Sequence, residues 1–189
     1  MVNSNREIEV RFLEIDKLGL INKLHSLGAE DKGEEKLREI IFYDKDLQWG
    51  KVGSNQYVRL RSTQNGIYLT YKQHVAVAVD GAIEYEVKVS DLASAKEILQ
   101  AIGLVAYREQ EKMRHRFILD DVMVDIIDWP KIPTLVELEG ESEQALKTVA
   151  EKLELDWNNV TLGDNRSVIE NRYHIPISKL KYFTFDKIE

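Results

Sequence analysis

The sequence predicts an α+β fold: an eight-stranded antiparallel β-barrel with flanking helices, built from two pseudo-symmetric halves. Three observations lead there. First, short segments alternate charge and hydrophobe, beginning with Glu7-Ile8-Glu9-Val10-Arg11-Phe12. Successive side chains of a strand point to opposite faces, so one face of each segment is ionic and the other apolar. Second, the pattern repeats. Glu84-Tyr85-Glu86-Val87-Lys88-Val89 matches the opening strand, and Glu111-Lys112-Met113-Arg114 matches Glu35-Lys36-Leu37-Arg38. Third, each half reads strand, helix, then three strands, and two such halves supply enough strands to close a small barrel. The halves span about 6–75 and 83–153, followed by a tail over 154–189, and the whole 1–189 is expected to be a single domain.

After the opening strand, Asp16 is the expected N-cap of a helix over Lys17 to Leu27. Leu20, Ile21, Leu24 and Leu27 recur at helical spacing, and Gly28 stops it. Glu35 to Tyr43 reads as a strand ended by Asp44-Lys45-Asp46, and 50–55 as a loop. Tyr57 to Arg61 puts Arg59 and Arg61 on one face. Asn65-Gly66 signals a hairpin into Ile67 to Gln73, where Tyr68, Thr70 and Lys72 share a face. Asp80-Gly81 is a second hairpin signal before the strand Glu84 to Val89. Ser90 is the expected N-cap of a helix through Ile102, with Leu92, Ala95, Ile98, Leu99 and Ile102 inward. Glu109 to Leu119 aligns Lys112, Arg114 and Arg116. Asp120-Asp121 turns the chain into Val122 to Asp128, which sets Asp125 opposite Val124 and Ile126. Leu135 to Glu139 carries Glu137 and Glu139 together. Ser142 caps a helix through Leu153. In the tail, 167–173 reads as a short helix and 182–185 as an edge strand; the tail's expected uses are packing on the barrel, closing one end of it or pairing two subunits.

Composition narrows the function classes. The chain has 189 residues and no cysteine, which excludes disulfides and thiolate metal sites. A net charge of −7 argues against non-specific nucleic-acid binding. No apolar run approaches the roughly 20 residues needed to span a bilayer, and Met1 to Arg6 shows no apolar signal region, so the expectation is a cytoplasmic protein with no membrane partner.

With the ionic faces turned inward, the lumen holds two sets of side chains. The acids are Glu7, Glu9, Glu84, Glu86, Asp125, Glu137 and Glu139. The bases are Arg11, Arg59, Arg61, Lys72, Lys88, Lys112, Arg114 and Arg116. Burying so much charge costs several kcal/mol per ion unless each is paired or solvated. A polyanion together with a hard cation resolves this. Arginine and lysine grip phosphate oxygens, and carboxylates hold Mg²⁺ or Mn²⁺ that bridges to the same phosphates. The four histidines are scattered without ligand spacing and read as ordinary surface or satisfied side chains; Trp129 reads as a packed turn and Trp49 as a loop residue.

Glu7-x-Glu9-x-Arg11, Arg59-x-Arg61, Thr70-Tyr71-Lys72, Glu84-x-Glu86, Lys112-x-Arg114, Asp125 and Glu137-x-Glu139 together, in this order, resemble the CYTH superfamily of triphosphate tunnel metalloenzymes. The resemblance implies a tunnel that binds a small-molecule triphosphate with Mg²⁺ or Mn²⁺, and it allows a homodimer, as relatives are often dimeric. It implies that Glu7, Glu9 and Glu137 hold metal, assisted by Glu139 and Asp125. Arg59, Arg61, Lys72, Lys112 and Arg114 would bind phosphate, with Arg11, Lys88 and Arg116 on the same face. Glu9, Lys72, Asp125 and Arg114 are the expected catalytic residues. Two departures stand out. The family's opening signature usually ends in lysine, and here it ends in Arg11, which stays protonated and cannot act as a base. The Tyr-Tyr-Asp pattern of the thiamine triphosphatase branch is here Phe42-Tyr43-Asp44. Both members of a Lys–Tyr base pair are altered, which lowers the expectation of thiamine triphosphate hydrolysis. Three functions follow: metal-dependent hydrolysis of tripolyphosphate or a nucleoside triphosphate, the class IV adenylyl cyclase reaction giving cyclic AMP and pyrophosphate, and polyphosphate binding without turnover.

Overall fold

The computed structural model describes residues 6–49 and 56–189, so the expected loop over 50–55 and the polar start before Arg6 lie outside the described residues. The opening strand is interrupted at Ile8, giving β1 (Arg6–Glu7) and β2 (Glu9–Phe12). The interruption closes the barrel. β1 pairs with β6 (Ala82–Val89), while β2 pairs with β9 (Leu135–Glu139). Between those two neighbours the sheet runs β6, β5 (Gly66–His74), β4 (Gln56–Thr63), β3 (Glu30–Tyr43), β7 (Val105–Leu119), β8 (Val122–Asp128) and β9. Every pairing around this ring is antiparallel. With β1 and β2 counted as one strand, the described residues form the expected eight-stranded tunnel.

Apolar residues of alternate parity face outward and are covered by helices. Val10, Phe12, Phe117, Val124, Ile126, Val136 and Leu138 pack beneath α1 (Lys17–Ser26) and α3 (Glu143–Lys152), which contribute Leu20, Leu24, Leu146 and Val149. Phe42, Val58 and Leu60 pack beneath α2 (Leu92–Ala101) through Ala95 and Leu99. Each such large side chain removed from water contributes about 1.5–3 kcal/mol. The core is therefore a sleeve around the barrel, and the bore is left to polar groups.

Several local expectations need correction. The N-cap of α2 is Asp91, not Ser90: its carboxylate accepts from Ser94 N at 2.7 Å. Ile98 and Ile102 are 61% and 70% exposed, because Ala95 and Leu99, one helical turn apart, are the residues aimed at the barrel. Leu27 is likewise exposed past the end of α1. Asp80-Gly81 ends a longer β5–β6 connection; a side chain at 81 would meet the Ala76 carbonyl oxygen at 2.2 Å. Strands β3 and β7 start earlier than expected, paired from Glu30↔Ile118 to Tyr43↔Val105 with a bulge at Gly33, whose φ of +87° suits glycine.

The tail packs back onto the barrel. Asp164 caps α4 (Asn165–Tyr173), and a 3₁₀ turn follows at Ile177–Lys179. The strand expected over 182–185 is β10 (Tyr182–Phe183), which pairs parallel with β7. Ile169, Ile177 and Phe183 join Ile127, Trp129, Ile132 and Leu135 in an apolar cluster at this end. Among the described residues no helix is long and apolar enough to cross a membrane.

Candidate active site

Register places the ionic parity of each strand inside the bore. Neighbouring inward pairs include Glu9↔Glu139, Arg11↔Glu137, Asp125↔Glu137, Arg116↔Asp125 and Lys72↔Glu84. Following the ring, the charges separate into two arcs. Asp125 (β8), Glu137 and Glu139 (β9), Glu7 and Glu9 (β1 and β2), then Glu84 and Glu86 (β6) form an acidic arc. Lys72 (β5), Arg59 and Arg61 (β4), then Lys112, Arg114 and Arg116 (β7) form a basic arc. The arcs face one another across a chamber of about 300 Å³, lined by all of these side chains together with Tyr57, Thr63, Asn65, Tyr68, Met123 and Asn165.

The basic arc is held by carboxylates on β3 that the sequence reading passed over. Glu39 is 3% exposed; it accepts from Arg61 Nε at 2.8 Å and from Gln110 Nε2 at 2.6 Å, with Arg59 Nη1 at 3.7 Å. Burial alone would raise its carboxyl, but Arg61, Arg59 and Lys112 outweigh that and hold it far below the ordinary glutamate range. Glu35 pairs with Arg114. Asp125 accepts from Arg116 through both oxygens, at 2.7 and 2.6 Å, and stands 3.7 Å from Arg114.

On the acidic side Lys72 Nζ lies among Glu7, Glu9 and Glu84, in contact with the first and at 3.7 and 3.4 Å from the others. Burial opposes its charge, but Glu9, Tyr57, Glu7 and Glu84 hold its ammonium above the ordinary lysine value, so Lys72 is a permanent cation here. Carboxylate crowding shows elsewhere. Burial, with Glu84 and Glu9 adding to it against Lys72, pushes Glu7 up to about 8. Burial and Glu9 push Glu139 up to about 7. Glu137 goes the other way, to about 2, because Arg11, Lys112 and Lys72 outweigh its burial. Among the described residues no three His, Asp or Glu side chains are gathered closely enough to hold a metal ion as they stand. The donor chemistry nevertheless fits a hard cation: an all-oxygen set, two of whose carboxyls are raised by burial and by neighbouring carboxylates.

Two expected phosphate ligands lie elsewhere. Lys88 is exposed and outside the chamber lining, because β6 ends beyond the rim. Arg11 is 4% exposed and already committed: it donates to Glu9, to Glu137 at 3.2 Å and to the Gly163 carbonyl. It ties β2 to the segment that enters α4. Phe42 is fully buried on the outer side under α2, so it faces away from the bore, whereas Tyr43 faces inward. Trp49 packs outside against Tyr71, with ring centroids 6.2 Å apart.

Beyond the chamber the bore continues into a smaller one toward α4. It is lined by Glu39, Tyr43, His74, Arg108, Gln110, Trp129 and Arg166, and shares Tyr57, Arg59, Lys112 and Asn165 with the first. Arg108 and Gln110 continue the Lys112–Arg114–Arg116 face; placing the start of β7 at Glu109 cut Arg108 off, and Gln110 carried no charge to mark it. His74, read as ordinary, is half-buried here and lines this chamber. Burial and Lys72 lower it to about 4, so it is neutral at pH 7.

A closed antiparallel bore with one acidic and one basic arc defines a tunnel protein with an ionic lumen. The CYTH domain model matches residues 5–169, and the chain belongs to that family. Solved structures similar in fold include the PH1012 protein of Pyrococcus horikoshii, at 23% identity and a TM-score of 0.69 over 82% of this chain and 94% of that one. A putative adenylate cyclase from Vibrio parahaemolyticus aligns at 13% identity and a TM-score of 0.71, over 88% and 98%. A putative adenylyl cyclase from Hippeastrum, described as revealing a dominant triphosphatase activity, aligns at 10% identity and a TM-score of 0.59, over 89% and 96%. No curated protein matches the sequence.

Proposed function

We propose that the chain is a divalent-metal-dependent triphosphate hydrolase, working as one domain whose two halves each supply part of the tunnel wall. The observation that carries this reading is the separation of charge into facing arcs around one chamber. A triphosphate carries several negative charges in a row, and the row of Arg59, Arg61, Lys72, Lys112, Arg114 and Arg116 is matched to it. Glu9, Glu137 and Glu139, with Glu7 beside them, would hold Mg²⁺ or Mn²⁺, which when bound supplies a Lewis acid at phosphoryl oxygens and a more acidic water. Lys72 and Arg114 neutralise charge that develops on the transferred phosphoryl group. Asp125 orients Arg116 and Arg114 through its two oxygens. Arg11 serves as a clamp and takes no proton.

A second reading, adenylyl cyclase, is kept by the name of the Vibrio neighbour and by the shared cradle: attack by the ribose 3′-hydroxyl would then fall on the α-phosphorus. The test is incubation of the purified protein with tripolyphosphate, ATP, GTP and thiamine triphosphate, each with Mg²⁺ or Mn²⁺. Orthophosphate release is expected. Cyclic AMP with pyrophosphate would replace the hydrolase reading, and binding without any product would leave only a polyphosphate-binding module.

A further inference from the structure

The inner chamber, between Lys112 and α4, has a surplus of donors. Arg59 Nε and Trp129 Nε1 are buried without an acceptor among the described residues. Lys112 is 5% exposed; among the described residues it has no ion pair within 4 Å, although it feels Glu39 and Glu137 at longer range, and its Nζ lies 5.2 Å from the Trp129 ring centroid. Arg108 is 5% exposed and, among the described residues, bonds only neutral oxygens, those of Gln110 and the Ile177 carbonyl. Against these cations the lining sets two carboxylates, Glu39 and Asp164. Asp164 is used as the α4 cap, bonded to Ser167 through N and Oγ. The N-terminus of α4, with its partial positive charge, opens on the same space through Asn165 and Arg166. Buried donors without acceptors are unfavourable, so this arrangement suits a ligand made of acceptors.

Size narrows the ligand. The chamber offers about 50 Å³ to the centres of water molecules. At roughly 10–15 Å³ per water that is space for about four, comparable to the four oxygens of a tetrahedral oxyanion and far short of a nucleobase. Tyr43, Gln110, Trp129, Ile169 and Ile177 in its wall are buried, while Gln56, His74 and Arg166 are half-buried. The outer chamber, about 300 Å³ against about 50 Å³, is the roomier approach for a chain of phosphates, and it shares Tyr57, Arg59, Lys112 and Asn165 with the inner one.

We infer that the inner chamber is a subsite for one terminal phosphoryl group, gripped by Arg108, Trp129 Nε1 and Lys112 at the mouth of α4. The inference rests on the triphosphate reading of the outer chamber and adds an end-on polarity. A bound chain enters with its unesterified end first, and any organic group stays toward the rim at Thr63, Asn65 and Tyr68. The same tetrahedral chemistry is offered by free orthophosphate.

Titration calorimetry on the full chain tests this with tripolyphosphate, orthophosphate and a triphosphate esterified at both ends. The wild type is compared with Arg108→Gln and Arg108→Lys. Tripolyphosphate should weaken at least tenfold in Arg108→Gln and recover in part in Arg108→Lys. The doubly esterified chain should bind the wild type at least tenfold more weakly than tripolyphosphate, and Arg108→Gln should leave that weaker binding unchanged. Orthophosphate binding that falls with Arg108→Gln marks a pocket open to the free ion. Absence of orthophosphate binding beside the tripolyphosphate effects marks one that takes only the end of a chain. Equal binding of esterified and free-ended chains overturns the inference, even where neither variant folds, and leaves the outer site standing. No binding of tripolyphosphate to the wild type overturns the triphosphate reading itself.

Discussion

At the scale of single residues, the strongest constraint in the bore is Glu39, an anion enclosed by Arg59, Arg61 and Lys112. Removing one member of such a buried network leaves the others uncompensated, so Glu39→Gln should destabilise the chain by about 3 kcal/mol at neutral pH. The sign with pH follows from its depressed folded pKa. The carboxylate's contribution is complete above the ordinary value of 4.5 and is lost as pH falls below it toward the folded value. Urea unfolding from pH 7 down to pH 3 should therefore show the gap between wild type and Glu39→Gln narrowing below about pH 4.5; a constant gap would rule out an ionised Glu39. Arg11 presents a different case. It reaches three acceptors from one planar fork, whereas lysine is a point charge. Arg11→Lys should cost roughly 1–3 kcal/mol in the same measurement, although it restores the residue usual in the family. A neutral result would show that the link to Gly163 carries no stability.

At the scale of elements, the part of the fold that was legible is the part governed by strand parity. Glu9, Arg59, Arg61, Lys72, Arg114, Asp125, Glu137 and Glu139 sit on strands with one ionic and one apolar face, and that contrast survives in a bare sequence. What was not legible lacks the contrast. Glu39 sits in Leu37-Arg38-Glu39-Ile40-Ile41, where exposed Arg38 and buried Glu39 look equally polar and only the pairing with Arg61 and Gln110 separates them. The polar start of β3 is ordered by its ladder to β7, a contact distant in sequence. The α4 segment gave even less signal, since its role comes from where Asp164 and Gly163 land. Asp164 caps α4 through Ser167, at 2.9 Å to N and 2.6 Å to Oγ, and is itself 8% exposed. Asp164→Ala should cost about 1–2 kcal/mol and speed amide exchange across 165–173, while Asp164→Asn, which keeps an acceptor, should retain most of the protection. Equal loss in both variants would mean that the charge, and not the cap, holds the helix.

At the scale of the whole molecule, a chain with a net charge of −7 gathers six of its 26 Lys and Arg side chains in one arc of the bore. Long-range attraction for a polyanion is absent, so affinity has to come from contacts made inside. Those contacts are incomplete with either ligand alone: a triphosphate answers the basic arc and faces the carboxylates, and a divalent cation answers the carboxylates and faces the arginines. Each therefore lowers the electrostatic penalty of the other, and linkage makes the effect reciprocal. Because strands from both halves line the bore, occupancy stabilises the entire barrel and is readable as a melting shift. At a hundred times Kd a ligand adds about 2.7 kcal/mol, or about 5–10 °C for a chain of this size. With Ca²⁺ in place of Mg²⁺ or Mn²⁺ to limit turnover, tripolyphosphate and the cation together should raise the midpoint by clearly more than the sum of their separate shifts, and chelation should return it to the tripolyphosphate value. Additive shifts would mean that the two arcs do not share one ligand, and the tunnel would then have to be read as two independent ion sites that happen to face each other.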